Sequence, residues 1–267
     1  MEFLSKYETF IFDLDGTIYL GEKLIKGAVE LIDRLNSLGK EYIFISNKTT
    51  GSVNDYYKFL KRNGLNIEQD SIINSTVVLK KFLVENHFDE NFYAIGERSF
   101  INELTNSGLK YSKDPAEIKI VIITLDRTFD FSKLEIAAKA IENGAHFYAA
   151  NIDDTCPVEN GEIMDAGATI SALEKRCHRK LEQHFGKPSE FMIEEIKTRI
   201  CDLNKTCLLV GDRLETDIAM AERIGVDSAL VTTGVKIFGN GNSMPEPTYK
   251  INSVLDILNG STTAHKI

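Results

Sequence analysis

The chain has 267 residues, with 31 basic against 40 acidic side chains and a formal net charge of −9, a balance that disfavours non-specific attraction to nucleic acid or to an anionic membrane surface. Its 43% apolar and 27% charged residues are those of an ordinary globular protein, long enough for one large or two moderate domains. The amino terminus carries acids and no long apolar run, so neither a secretory signal nor a membrane span is expected and the cytoplasm is the default setting. Cys156, Cys177, Cys201 and Cys207 show no CxxC spacing and read as reduced thiols.

The first element is the run Phe10-Ile11-Phe12-Asp13-Leu14-Asp15-Gly16-Thr17, an apolar strand of the buried parallel kind that stops at two acids. Open α/β sheets bind ligands just beyond the carboxyl ends of their strands, so Asp13 falls at such an edge. Two carboxylates this close repel unless a cation joins them, and a hard divalent ion such as magnesium prefers oxygen ligands. Ala28, Leu31, Ile32, Leu35 and Leu38 then recur at helical spacing, Gly39 ends that pattern, and the strand Tyr42-Ile43-Phe44-Ile45 follows. The unit predicts parallel pairing through a right-handed crossover. Ser46-Asn47-Lys48-Thr49-Thr50 closes the second strand with hydroxyl and amide groups suited to phosphate oxygens. Further helices are predicted over 53–62 and 77–84.

Strands over 92–95, 120–125 and 146–150, separated by helices ending near Gly108 and Gly144, predict a second α/β unit. Its expected bounds make residues 1–82 and 183–267 one domain and residues 83–182 an insert. Residues 151–161, ahead of a helix starting near Ala168, read as a polar, turn-rich loop containing Cys156. Gly186-Lys187-Pro188-Ser189 then sets a lysine before a helix with the stripe Met192, Ile193, Ile196 and Ile200, capped at Ser189. Ammonium and helix dipole would both favour an anion there. After the strand 207–210, Gly211-Asp212-Arg213-Leu214-Glu215-Thr216-Asp217 opens a helix through Ile224. Asp212 is thereby placed at the sheet edge and Asp217 about one turn further on; the strand 229–231 follows, and residues 259–267 read as a frayed polar end. The fold class is α/β, a doubly wound, Rossmann-like parallel-sheet core with an inserted α/β unit.

In this order, the DxDGT run from Asp13, then Ser46, Lys187 and the pair Asp212 and Asp217, the sequence resembles the haloacid dehalogenase-like hydrolases over essentially the whole chain. The insert, with Leu125-Asp126-Arg127, the segment 151–157 and Asp165-Ala166-Gly167-Ala168, resembles the large type-IIA cap of the nitrophenyl-phosphatase-like (NagD-like) subgroup. That resemblance implies magnesium-dependent hydrolysis of a small phosphate monoester of the nucleotide, sugar phosphate, phosphoglycolate or pyridoxal phosphate class. Asp13 would be the nucleophile, forming an aspartyl-phosphate, and Asp15 the acid and base. Magnesium would be held by Asp13, Asp212 and the main-chain carbonyl of Asp15, with Asp217 behind them. Ser46, Asn47 and Lys187 would hold the phosphoryl group; Asn151, Asp153 and Cys156 are the candidates for leaving-group selection. A homodimer formed through the cap is also implied. Two departures from the family pattern stand out: Lys48 replaces the second asparagine of a Ser/Thr-Asn-Asn loop, and Ile152 the proline of an Asn-Pro-Asp segment.

Other readings remain at this stage. A phosphoaspartate receiver protein shares the sheet, the acidic magnesium site and the lysine, but its phosphorylated aspartate normally lies on the third strand and here the candidate closes the first. A dinucleotide-binding oxidoreductase lacks its GxGxxG after the first strand, and Gly239-Asn240-Gly241 falls in a loop before Pro245. A phosphate-ligand binding protein without catalysis would not need every catalytic position filled. A phosphomutase or a phosphonate-cleaving enzyme would use the same Asp13.

Overall fold

A computed structural model describes residues 2–158, 161–200, 203, 206–234 and 244–260; Cys201, Gly239-Asn240-Gly241 and the end of the chain from residue 261 lie outside them. The strands in chain order are β1 (Thr9–Asp13), β2 (Tyr19–Leu20), β3 (Lys23–Leu24), β4 (Glu41–Ser46), β5 (Ile72–Asn74), β6 (Asn91–Ile95), β7 (Lys110–Tyr111) and β8 (Ile118–Ile123). They continue with β9 (His146–Ala149), β10 (Thr155–Val158), β11 (Gly161–Met164), β12 (Gln183–His184), β13 (Cys207–Gly211), β14 (Asp227–Val231) and β15 (Tyr249–Ile251).

Six strands form one parallel sheet in the order β15-β14-β13-β1-β4-β5. Every residue of β1 is buried, because alternate side chains enter two different cores. Ile11, with Ile43, Ile45 and Leu209, packs into one, and Phe10 and Phe12, with Phe44, Leu208 and Val210, into the other. This period-two sorting of an unbroken apolar run requires covering elements on both faces. It also sets the carboxyl ends of β1, β4 and β13 side by side, carrying Asp13, Ser46 and Gly211.

The predicted helices recur at Ala28–Leu38 and Val53–Arg62, the second opened by a reciprocal Ser52–Asp55 capping box. Gly39, at φ 66°, ends the first in a left-handed conformation that a side chain would strain. The helix predicted over 77–84 is longer, Ser75–Asn86, because the Asn74 side chain accepts from the Val77 N–H and starts it earlier. Asn74 also ends β5, a strand of three residues, too short for a periodic signal. The stretch after Arg213 is a π-helical turn over Leu214–Ile218 before the α-helix Ala219–Ile224, rather than one uniform helix.

The second sheet is also parallel, in the order β12-β9-β8-β6-β7. Its last strand, β12, begins at residue 183, just past the expected return to the first unit, and pairs with Tyr148 and Ala149. Residues 155–164 correct the expectation of a loop: β10 and β11 form an antiparallel hairpin, and Cys156 is on a strand opposite Ile163. Pro157 and a length of four residues hide such a strand, since proline offers no ladder donor. The following helix begins at Ala166, with Asp165 accepting from the Ala166 N–H. Where the chain passes between the sheets, Phe82, Phe185 and Phe191 pack ring against ring at 4.7–5.2 Å. Among the described residues no helix is long and apolar enough to cross a membrane.

Candidate active site

Asp13 ends the central strand at 5% exposure. Lys187 Nζ donates to Asp13 Oδ1 at 2.5 Å and to Asp217 Oδ1 at 2.6 Å, and all three side chains are buried. The second oxygen of Asp217 accepts from the main-chain N–H groups of Asp212 and Arg213, each at 3.1 Å. The π-helical turn makes this possible by folding Asp217 back under the end of β13, where the Asp217 and Ile218 N–H groups both reach the Arg213 carbonyl. Burial pushes the Asp13 carboxyl well above the usual carboxylate range, opposed by Lys187 and reinforced by Asp217 and Asp212. Burial alone would lower Lys187, but Asp13 and Asp217 hold its ammonium above the ordinary lysine range.

Asp13, Asp212 and Asp217 bring one carboxylate oxygen each within 4.8 Å of one another. Asp13 Oδ2 is buried with no hydrogen-bond partner among the described residues. A Cβ on Gly234 would sit 1.8 Å from Asp212 Oδ2 and one on Gly16 2.6 Å from it, so only glycine leaves the Asp212 carboxylate its place. An all-oxygen, acidic set with one orphaned buried oxygen fits a hard divalent cation. Asp217, whose two oxygens already serve Lys187 and the loop, orients its neighbours.

Ser46, 2% exposed, accepts from the Lys48 N–H at 3.1 Å. Asn47 lines the same cavity as Asp13, Ser46 and Lys187, and its side-chain amide is engaged at both ends. Its Oδ1 accepts from the Lys187 N–H at 2.7 Å, and its Nδ2 donates to the Lys187 carbonyl at 3.3 Å and to Asp153 Oδ1 at 3.1 Å. The amide thus ties the lysine loop to the inserted unit. Thr49 and Thr124 share a hydrogen bond that joins the same loop to the end of β8.

Asp15 lies beside this group with Lys48 Nζ on Oδ1 at 2.6 Å and the Tyr19 hydroxyl on Oδ2 at 2.5 Å. Lys48 therefore belongs to the site; in the sequence its signals were a cation directly after Ser46-Asn47 at a strand end and its departure from the Ser/Thr-Asn-Asn pattern.

From the inserted unit, Asp153, Thr155, Cys156 and Pro157 line the same cavity. Asn151 stands one layer behind, its Nδ2 at 3.4 Å from Asp153 Oδ2 and 3.2 Å from Asp165 Oδ1. Burial, with repulsion from Asp153, pushes the Asp165 carboxyl up to about 7. Burial likewise pushes the Cys156 thiol up to about 12, which keeps it protonated and makes it a packing group rather than a nucleophile. Arg213 Nη2 donates to the Thr155 carbonyl at 2.6 Å. The sequence reading missed Arg213, Thr155 and Asp165 as site residues: Arg213 and Thr155 meet across 58 positions of the chain, and Asp165 reads locally as a helix N-cap.

The family model described as haloacid dehalogenase-like hydrolase matches residues 10–110, and one described as HAD-hydrolase-like matches residues 184–257. The sugar-phosphatase AraL of Bacillus subtilis is 33% identical over 247 residues, which cover 92% of this chain and 90% of the relative. A p-nitrophenyl phosphatase from Archaeoglobus fulgidus superposes with a TM-score of 0.85 at 30% identity, covering 96% of this chain and 100% of the other. A glycerol phosphate phosphatase from Mycobacterium tuberculosis, solved in complex with magnesium, superposes with a TM-score of 0.82 at 26% identity, over 96% of this chain and 77% of the other.

Proposed function

Because the chain belongs to the haloacid dehalogenase-like hydrolases, we propose that it is a magnesium-dependent phosphatase that passes the phosphoryl group of a small monoester first to Asp13 and then to water. The observation that carries this reading is the Lys187 ammonium bridging Asp13 and Asp217 beside Asp212, with Asp13 Oδ2 buried and without a partner among the described residues. Asp13 attacks phosphorus as the bond to the leaving oxygen breaks, and Asp15 gives that oxygen its proton. Water then attacks the aspartyl-phosphate, loses its proton to Asp15, and releases phosphate and the Asp13 carboxylate. Splitting one slow displacement in two lowers each barrier. Lys187 and Ser46 hold the phosphoryl oxygens, while Asn47 fixes the Lys187 main chain. Magnesium, held by Asp13, Asp212 and the Asp15 carbonyl, would neutralise charge on the phosphoryl oxygens.

In this reading residues 83–182 form a cap that selects the leaving group. The cavity it shares with the carboxylates is only about 30 Å³, room for a water or two, so the β10–β11 hairpin must withdraw to admit an ester. The names of the relatives support a sugar phosphate or another small phosphate ester. Asp153 and Asp165, which line the cavity, disfavour a leaving group with a second phosphate or a carboxylate and favour hydroxyl groups, which a carboxylate accepts from. Phosphate release should be measured over sugar phosphates, nucleotides, phosphoglycolate and pyridoxal phosphate. The expected result is turnover highest on a neutral, hydroxyl-bearing leaving group, abolished in Asp13→Asn, with acid-stable label trapped on Asp13. No turnover of any monoester with magnesium, or undiminished turnover by Asp13→Asn, would overturn the reading.

A further inference from the structure

The two oxygens of Asp15 are held from two different elements. Lys48, on the loop after β4, reaches across 33 positions to place Nζ 2.6 Å from Oδ1. Tyr19, opening the β2–β3 hairpin, donates its hydroxyl to Oδ2 at 2.5 Å. Tyr19 is itself 2% exposed and locked by the main-chain bonds from Gly16 N to Tyr19 O, 2.7 Å, and from Tyr19 N to Leu14 O, 3.1 Å. Lys48 Nζ lies 5.4 Å from the Tyr19 ring centroid, which closes the group. The backbone beneath Asp15 is a turn through Gly16 at φ 87°, and a carboxylate on such a turn would otherwise rotate about its own side-chain bonds.

We infer that Lys48 is a positioning residue for the reaction: its ammonium anchors Asp15 Oδ1 and so aims Oδ2 at the leaving oxygen. This inference rests on the acid and base role proposed above for Asp15. The two anchors differ in strength, since a charge-assisted bond holds more firmly than one from a neutral phenol. Oδ2 is thus the oxygen able to exchange the Tyr19 hydroxyl for the leaving group while Oδ1 stays fixed. A neutral amide at position 48 would supply neither the reach of the lysine stem nor its charge. Small misplacement of a proton-transferring group costs rate rather than binding.

The test compares wild type, Lys48→Met, Lys48→Arg, Asp15→Asn and the double variant Asp15→Asn/Lys48→Met on nitrophenyl phosphate and on glycerol phosphate, with single-turnover rates of phosphoryl transfer. A poor leaving group needs its proton and a nitrophenolate does not. Lys48→Met should therefore lower the single-turnover rate of phosphoryl transfer from glycerol phosphate by about 10–100-fold and from nitrophenyl phosphate by less than about 3-fold, a split of the size positional catalysis supplies. KM should stay nearly constant, Lys48→Arg should recover much of the loss, and the double variant should be no slower than Asp15→Asn alone. A loss that multiplies with that of Asp15→Asn, or that resides in KM, would overturn the inference and make Lys48 a direct substrate contact. If Asp15→Asn itself spares glycerol phosphate turnover, the acid and base reading falls, and this inference with it. Lys48→Gln, compared by the same double-variant cycle, replaces Lys48→Met should the latter fail to fold.

Discussion

Arg213 donates from Nη2 to the Thr155 carbonyl at 2.6 Å, across 58 positions of the chain. The loop that carries Asp212 and Asp217 is thereby bonded to the hairpin that covers it. The guanidinium is buried, and burial would lower its pKa, but Asp153 and Asp212 keep it charged. A contact of this kind makes the position of the hairpin depend on the acidic loop and the reverse.

Arg213→Met should loosen the hairpin and lower kcat/KM on a sugar phosphate by about 10–100-fold, the range a charge-assisted hydrogen bond supports. The loss should be smaller on nitrophenyl phosphate, which asks less of leaving-group selection. Equal losses on both esters would show that Arg213 acts on the phosphoryl group instead.

Lys187→Met leaves Asp13 and Asp217 buried against each other without their shared cation. Breaking a buried pair in this way costs about 3–5 kcal/mol, to be read from urea denaturation without metal. Magnesium should recover part of that stability, since a divalent ion replaces the missing charge. A loss below about 1 kcal/mol, the scale of an exposed pair, would mean that these groups do not form one ionised cluster.

Chelation should stop turnover and added magnesium restore it. Magnesium at about 100 times its dissociation constant should also raise thermal stability by about 2.7 kcal/mol through binding to the folded state. Asp212→Asn should abolish that increment. Persistence of the full increment in Asp212→Asn would place the ion elsewhere.

Asp165 provides a pH signature. Its folded-state pKa lies at about 7 against an ordinary 3.8, so between those values the folded protein holds a proton that the unfolded chain has lost. Stability from this group therefore falls as pH rises from about 4 to about 7 and is level above. Asp165→Asn keeps an oxygen for the Ala166 N–H and the Asn151 amide but cannot ionise. It should raise the Tm relative to wild type at pH 8, by about 2–4 °C for each kcal/mol recovered, and change it little at pH 4. The same difference at both pH values would show that folding leaves the pKa of this carboxyl where it is in the unfolded chain.

The sequence by itself determined the parallel sheet and the places of Asp13, Ser46, Lys187, Asp212 and Asp217. Each sits where a continuous apolar run ends or a helix begins, and such ends face the ligand edge of an α/β sheet whatever the rest of the chain does. It also determined the helices Ala28–Leu38 and Val53–Arg62, whose stripes and caps are local. Only the tertiary structure decided the contacts of Lys48, Asn47 and Arg213. Their partners Asp15, Asp153 and Thr155 lie 33, 106 and 58 positions away, and no periodic pattern encodes a contact between two loops. The β10–β11 hairpin and β5 were hidden for a related reason: three or four residues hold too little alternation to signal a strand, and pairing with a neighbour, present only in the folded chain, supplies the hydrogen bonds that make them one.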